Sequence, residues 1–279
     1  MATRKKAAYP KKPRRKTATS RTAPVRILNC EPSPQPENDW SFETALRAGM
    51  TRARGIPPSK DLREAWWTIG DQGSTGACVG WATADSVLRW HFVKAGRLAK
   101  EEMLSPRFLW MAAKETDAFT TRPSTFIETE GTSLKAALDI ARKYGAVKDS
   151  FLPIATGKLY PDKIDVFYAL AAQLKIASYI NLGRDLTAWR TWLANNGPIL
   201  TRLNVDATWN KAKLTAGNLD SYQTATAGGG HAVALVGYTP DRFIVRNSWG
   251  TVLWGQQGFG FASLTYAQTA FTEAYGVTL

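Results

Sequence analysis

At 279 residues and 44% hydrophobic, the chain can bury a sizeable core as one large domain or two lobes, and its 11 tryptophans exclude a wholly unstructured polymer. The 36 basic and 23 acidic residues give a formal charge of +13, yet ten of the basic residues and no acid lie in residues 1–26, leaving +3 for the remainder. No apolar run reaches the roughly 18 residues of a membrane span, no apolar stretch follows the early charges as in a secretory signal, and two cysteines make at most one disulfide. A cytoplasmic, reducing location is the expectation.

Residues 1–26, basic and rich in Pro, Thr, Ser and Ala, read as a disordered tail suited to nucleic acid or another acidic surface. Its removal is expected to leave the chemistry of the body untouched. Residues 27–57 read as a linker or short pro-like segment: CEPSPQPEND (30–39) is broken by prolines, WSFETALRAGM (40–50) allows a short helix, and Pro57-Pro58 closes it. The folded body is expected over 58–279. Trp81, Ala84, Leu88 and Phe92 recur at helical spacing and predict a helix over 78–95. Further helices are predicted over 105–115, over 132–145 with Thr132 or Ser133 as cap and Gly145 as stop, and over 185–197. The texture then changes to strands at 199–205, 231–238 and 242–247, with strand character at 258–264. Helices first and strands later imply an α+β protein of two lobes.

Four residues carry the chemistry. Cys78 opens the predicted helix, where the helix terminus favours the thiolate, the reactive form. Of the two histidines, His91 lies thirteen residues further along the same helix, about 20 Å away at 1.5 Å per residue, which leaves His231. If Thr239-Pro240-Asp241 turns a hairpin, facing residue numbers sum to about 480, and Asn247 falls within two positions of facing His231. Asn247 there can hold the imidazole in the tautomer that addresses sulfur. Trp249 is placed to cover this pair, and Gln72, in a tight DQG turn, can aim its amide at a developing oxyanion beside the Cys78 backbone N–H. Cys30 lies in a proline-rich stretch and reads as incidental; pairing it with Cys78 would remove the nucleophile. Two Cys and two His do not form a metal cluster, and neither metal nor organic cofactor is expected.

Gln72-Gly73, Thr75-Gly76-Ala77-Cys78, His231-Ala232-Val233…Val236-Gly237-Tyr238 and Asn247-Ser248-Trp249-Gly250…Trp254-Gly255…Gly258 stand in that order along the chain. In these motifs the chain resembles the papain-like cysteine peptidases, over residues 58–264. The resemblance implies a two-lobed α+β fold, with a helical lobe carrying the nucleophile and a β-rich lobe carrying His231 and Asn247. It implies hydrolysis of peptide bonds through an acyl-enzyme on Cys78, with Gln72 in the oxyanion hole. It also suggests Glu130-Gly131 as the strand on which substrate main chain lies, with Gly131 the substrate-binding residue. Thr75 replaces a cysteine usual in that family, Val79 replaces a tryptophan, and Gly230 precedes His231 where an Asp is common. The 77 residues before Cys78 are too few for the family's long inhibitory pro-segment. The same site also allows acyl transfer to an amine or deamidation of glutamine, and the basic tail allows a binding or packaging protein.

Overall fold

The computed structural model describes residues 25–116, 130–154 and 163–279; residues 1–24 of the predicted tail lie outside it. The first helix, α1 (Phe42–Arg47), is capped by Ser41, whose side chain accepts from the Thr44 N–H. After a two-residue strand, β1 (Lys60–Asp61), comes the long helix α2, in which Cys78–Trp81 and Arg89–Lys94 are α-helical and the intervening Ala82–Leu88 is π-helical. Two more helices, α3 (Pro106–Thr116) and α4 (Leu134–Lys143), pack with α2. Ser133 caps α4 through the Ala136 N–H, and Gly145 follows it at φ 103°, the left-handed stop that glycine adopts without cost.

The second half supplies α5 (Ile164–Ala172), β2 (Ser178–Asn181), α6 (Leu186–Asn195), β3 (Ile199–Val205), a single turn α7 (Ala207–Asn210) and β4 (Asn218–Leu219). These are followed by β5 (Gly229–Tyr238), β6 (Arg242–Arg246), β7 (Phe259–Ser263), α8 (Leu264–Ala270) and β8 (Phe271–Thr278). One sheet joins the strands in the order β2-β8-β3-β5-β6-β7-β4, with β1 added to β5. The result is the expected α+β, two-lobed arrangement, with helices around the nucleophile and the sheet carrying the histidine.

The hairpin register follows the predicted sum. Tyr238 faces Phe243 and Gly237 faces Ile244; a bulge at Val236 then shifts the pairing so that Leu235 faces Val245 and Ala234 faces Arg246. Sequence patterning puts the start of the body at residue 58, and the segment before it packs closely against that body. Residues 25–57 are laced onto it: Asn181 N–H donates to the Trp40 carbonyl at 2.8 Å, the Tyr275 hydroxyl to Asp39 at 2.9 Å, and the Tyr238 hydroxyl to the Pro57 carbonyl at 2.9 Å. No helix among the described residues is long and apolar enough to cross a membrane.

Candidate active site

Cys78 is the first residue of α2 and wholly buried, and the start of α2 packs against β5. Two buried ion pairs hold this helix in place. Asp85 accepts from Arg89 on its own helix at 3.0 Å and from Arg246, the last residue of β6, at 2.7 Å. The Arg246 guanidinium also lies 4.8 Å from the Trp67 ring centroid, and the Trp67 indole N–H donates to the Asp85 carbonyl at 2.7 Å. A desolvated charge set of this kind is rigid, because loss of one partner strands the others at a cost of about 3–5 kcal/mol. It therefore fixes the nucleophile helix against the residue that immediately precedes Asn247.

On the sheet, the His231 ring is held from both ends. Its Nε2–H donates to Asn247 Oδ1 at 2.8 Å, and the same oxygen accepts the Ser248 N–H at 2.8 Å, which identifies it as oxygen rather than the amide nitrogen. The protonated nitrogen being Nε2, Nδ1 is the ring nitrogen left unpaired, and the Cys78 thiol is a group on which the imidazole acts. Trp249 leans over the imidazole at 4.9 Å between ring centroids, and Trp209 meets it edge-on at 5.7 Å. His231 is completely buried and Asn247 almost so. The Cys78 thiol is held well below its ordinary value, first by the neighbouring Cys30 thiol, then by the imidazole and charge of His231 and by the Ala232 N–H, all acting against burial.

Gln72 is buried in a loop stitched to the Asn247 segment. Its N–H donates to the Ser248 carbonyl at 2.8 Å, and the Gly250 N–H donates to the Gly70 carbonyl at 3.0 Å. Its side-chain oxygen accepts from the Ser248 hydroxyl at 2.7 Å, so the amide nitrogen points the other way, where the Thr75 carbonyl accepts it at 3.0 Å. A donor group held this way can turn toward a developing oxyanion. Cys78, His231, Asn247, Gln72 and Trp249 are thus brought together as their spacing predicted. His91 stands apart, buried near Gly197 and Trp90.

The sequence profile of the papain family cysteine proteases matches residues 56–270. The chain belongs to this family. It is 25% identical to Cathepsin B-like CP3 of Giardia intestinalis over 229 residues, 77% of this chain and 72% of that protein. To Cysteine proteinase 15A of Pisum sativum it is 27% identical over 228 residues, 77% of this chain but 60% of the relative. In fold it is similar to xylellain, a cysteine protease from Xylella fastidiosa, with a TM-score of 0.76 at 19% identity, covering 94% of this chain and 99% of that one. Like its relatives, this papain-family member is a cysteine peptidase that hydrolyses peptide bonds through a thiol.

In this member the cleft beside Cys78 is filled by residues 26–33 of its own chain. Arg26 begins this strap: its guanidinium donates to Asp71 at 2.7 Å and to the Gly73 carbonyl at 2.8 Å, and stacks 5.3 Å from the Trp249 ring centroid. Asn29 bridges Gly230, and its side-chain oxygen lies 3.9 Å from the Cys78 sulfur. Next, the Cys30 N–H donates to the Gly230 carbonyl at 3.0 Å and the Glu31 N–H to the Thr132 carbonyl at 3.1 Å. The Ser33 N–H then reaches Glu273 at 3.0 Å. Bare backbone on either side makes the passage possible: a Cβ on Gly131 would stand 1.6 Å from the Asn29 carbonyl oxygen, and one on Gly230 2.0 Å from that of Cys30. Gly131 therefore abuts the strap, in contact with an extended chain.

Two expectations change. Arg26, the last residue of the predicted tail, is docked against Asp71, Gly73 and Trp249. Cys30, read as incidental, is buried against the nucleophile; no motif surrounds it, and its neighbours Cys78, Gly230 and Arg202 are far away in sequence. Sequence reasoning also missed Ser248, Trp209, Asp85 and Arg246. A charged pair at i, i+4 on an otherwise apolar helix, Asp85 and Arg89, was the available signal for Asp85. Among the described residues no group of His, Cys, Asp and Glu has the makings of a metal site.

Proposed function

We propose that Cys78 is the nucleophile, His231 its proton carrier, Asn247 the group that orients the imidazole, and Gln72 an oxyanion donor. Cys78 Sγ, as thiolate, attacks the carbonyl carbon of a peptide bond, and the negative charge moves to the carbonyl oxygen, within reach of the Gln72 amide. His231 Nδ1–H then gives its proton to the departing amine, leaving a thioester. Water, losing a proton to His231, releases the acid and restores the thiol. The observation that carries this assignment is the His231 ring, anchored through Nε2 by Asn247 with Nδ1 left unpaired, beside a Cys78 thiol whose pKa it helps to depress. Trp249 and Trp209 keep water from the anchoring bond, and Gly131 supports substrate main chain once the strap has left. Profiling a peptide library with the purified protein beside its Cys78→Ala form tests it: cleavage should vanish with the thiol, and a Cys78→Ala protein cleaving at the parent rate removes Cys78 from the mechanism.

The strap makes this a latent enzyme, since substrate and residues 26–33 cannot occupy the cleft together. The ten positive charges of residues 1–26 support a second contact, with nucleic acid or another polyanion. Deleting residues 1–24, which spares Arg26, should abolish any salt-sensitive polyanion binding, and persistence of that binding would move it to the body. Both cysteines are free thiols, in keeping with a reducing, cytoplasmic location.

A further inference from the structure

The chain has two cysteines, and the fold places them side by side. Neither is in a disulfide, and both are buried. The backbone on both sides of Cys30 is held: its N–H by the Gly230 carbonyl at 3.0 Å, its carbonyl by Arg202 Nε at 2.9 Å. Gly230 directly precedes His231, so the bond that seats Cys30 is anchored on the catalytic strand itself. The preceding residue, Asn29, already touches the Cys78 sulfur at 3.9 Å, and each thiol shifts the titration of the other. A small polar side chain such as serine would serve packing at this position. What the thiol adds is redox chemistry.

We propose that Cys30 is a resolving thiol, which on oxidation joins Cys78 in a disulfide that locks the strap over the nucleophile until a thiol reductant releases it. The oxidant is a peroxide, met while the strap is transiently open. Cys78 thiolate attacks one peroxide oxygen; the S–O bond forms, the O–O bond breaks, and the departing hydroxide takes a proton to become water. The product is a sulfenic acid on Cys78. When the strap closes, the Cys30 sulfur attacks the Cys78 sulfur. The S–S bond forms, the S–O bond breaks, and the hydroxyl leaves with the Cys30 proton as a second water. Two thiols lose two electrons and one peroxide gains them. The latch protects the nucleophile from further oxidation and keeps the enzyme silent in an oxidising episode. It rests on Cys78 being the nucleophile only for its effect on activity, not for its chemistry.

The test uses the full chain and hydrogen peroxide at a few equivalents, with the strap left in place. A non-reduced digest should contain a linked peptide carrying Cys30 and Cys78, two hydrogens lighter than its parts, and iodoacetamide should label neither cysteine. Dithiothreitol should then restore most of the starting peptidase rate. In Cys30→Ser, judged against its own starting rate, recovery should fall below about a tenth, because an unresolved sulfenic acid proceeds to sulfinic acid. Absence of the linked peptide, with Cys78 of the parent protein found as sulfinic acid, overturns the proposal; so does full recovery of Cys30→Ser. The linked peptide is read by mass, independently of cleavage, so its formation in a protein whose peptidase rate never fell would count against Cys78 as nucleophile and not against the disulfide.

Discussion

Replacing Arg26 by alanine should loosen the strap without altering any group that handles the acyl transfer. The lost interactions are an ion pair to Asp71 at 2.7 Å, with Arg26 12% and Asp71 48% exposed, a hydrogen bond to the Gly73 carbonyl at 2.8 Å, and the stack on Trp249 at 5.3 Å. Half-exposed ion pairs contribute about 0.5–1 kcal/mol, a charged donor on a carbonyl about 1 kcal/mol when partly solvated, and an exposed cation over an indole about 0.5–1 kcal/mol. The total, about 2–3 kcal/mol, corresponds to a roughly 30- to 150-fold shift toward the open form. The assay is the rate at which iodoacetamide alkylates Cys78, followed by mass of the peptide that contains it. If closure dominates and opening is a rapid pre-equilibrium, the rate should rise by that factor in Arg26→Ala and by less in Arg26→Lys, which keeps the charge but not the planar fork. An Arg26→Ala protein alkylated at the parent rate would refute the reasoning, because the strap would then be held by other contacts or already open.

Gln72→Ala should lower kcat roughly 10²–10³-fold if its amide is a principal oxyanion donor; Ser248→Ala, losing one bond that aims that amide, should cost roughly fivefold, the equivalent of about 1 kcal/mol. Steady-state kinetics on one short peptide read both, and equal losses would mean that Ser248 does more than aim. Asn247→Ala should depress kcat while leaving KM within about twofold, since it removes orientation rather than substrate contact. His91 is buried without a partner for Nε2, and burial pushes its pKa down to about 4. A histidine whose folded pKa lies below its unfolded value of about 6.5 contributes stability that is complete above that value and lost as pH falls toward the folded one, about 2 kcal/mol by pH 5. Thermal melts at pH 7 and pH 5 should therefore differ more in the parent protein than in His91→Gln; an identical pH difference would place the acid sensitivity elsewhere.

What could be read from the sequence was what local chemistry decides. Ser133, one of the two expected caps, does cap its helix, its side chain accepting the Ala136 N–H. The Thr239–Asp241 turn set a register that brought Asn247 to His231. What could not be read depends on partners distant in the chain. The strands Ser178–Asn181 and Phe271–Thr278 are too short or too mixed to announce themselves: the first is held by the second, Ser178 facing Thr278 and Asn181 facing Tyr275, and the second also pairs with β3. The π-helical stretch from Ala82 to Leu88 keeps enough of the 3.6-residue period to pass for ordinary helix. The strap has no period at all. Its course is set by glycine walls at 131 and 230 and by the anchoring of Arg26, none of which a proline-broken segment reveals.

Placement of β8 has a consequence for the timing of synthesis. Of the described strands it is made last, yet it sits between β2 and β3, and its first residue, Phe271, packs edge-on against Trp189 of α6 at 6.1 Å. A ribosome that has reached β7 has already produced Cys78, His231 and Asn247, but β2 and β3 still present bare edges to the cell. Such edges invite pairing with other chains, and nascent domains with exposed apolar surface are the ones that misassemble. The nucleophile is thus translated long before the sheet that supports its histidine can close. A chain stopped before residue 271 would meet the quality-control machinery as an aggregation hazard rather than as a stray protease.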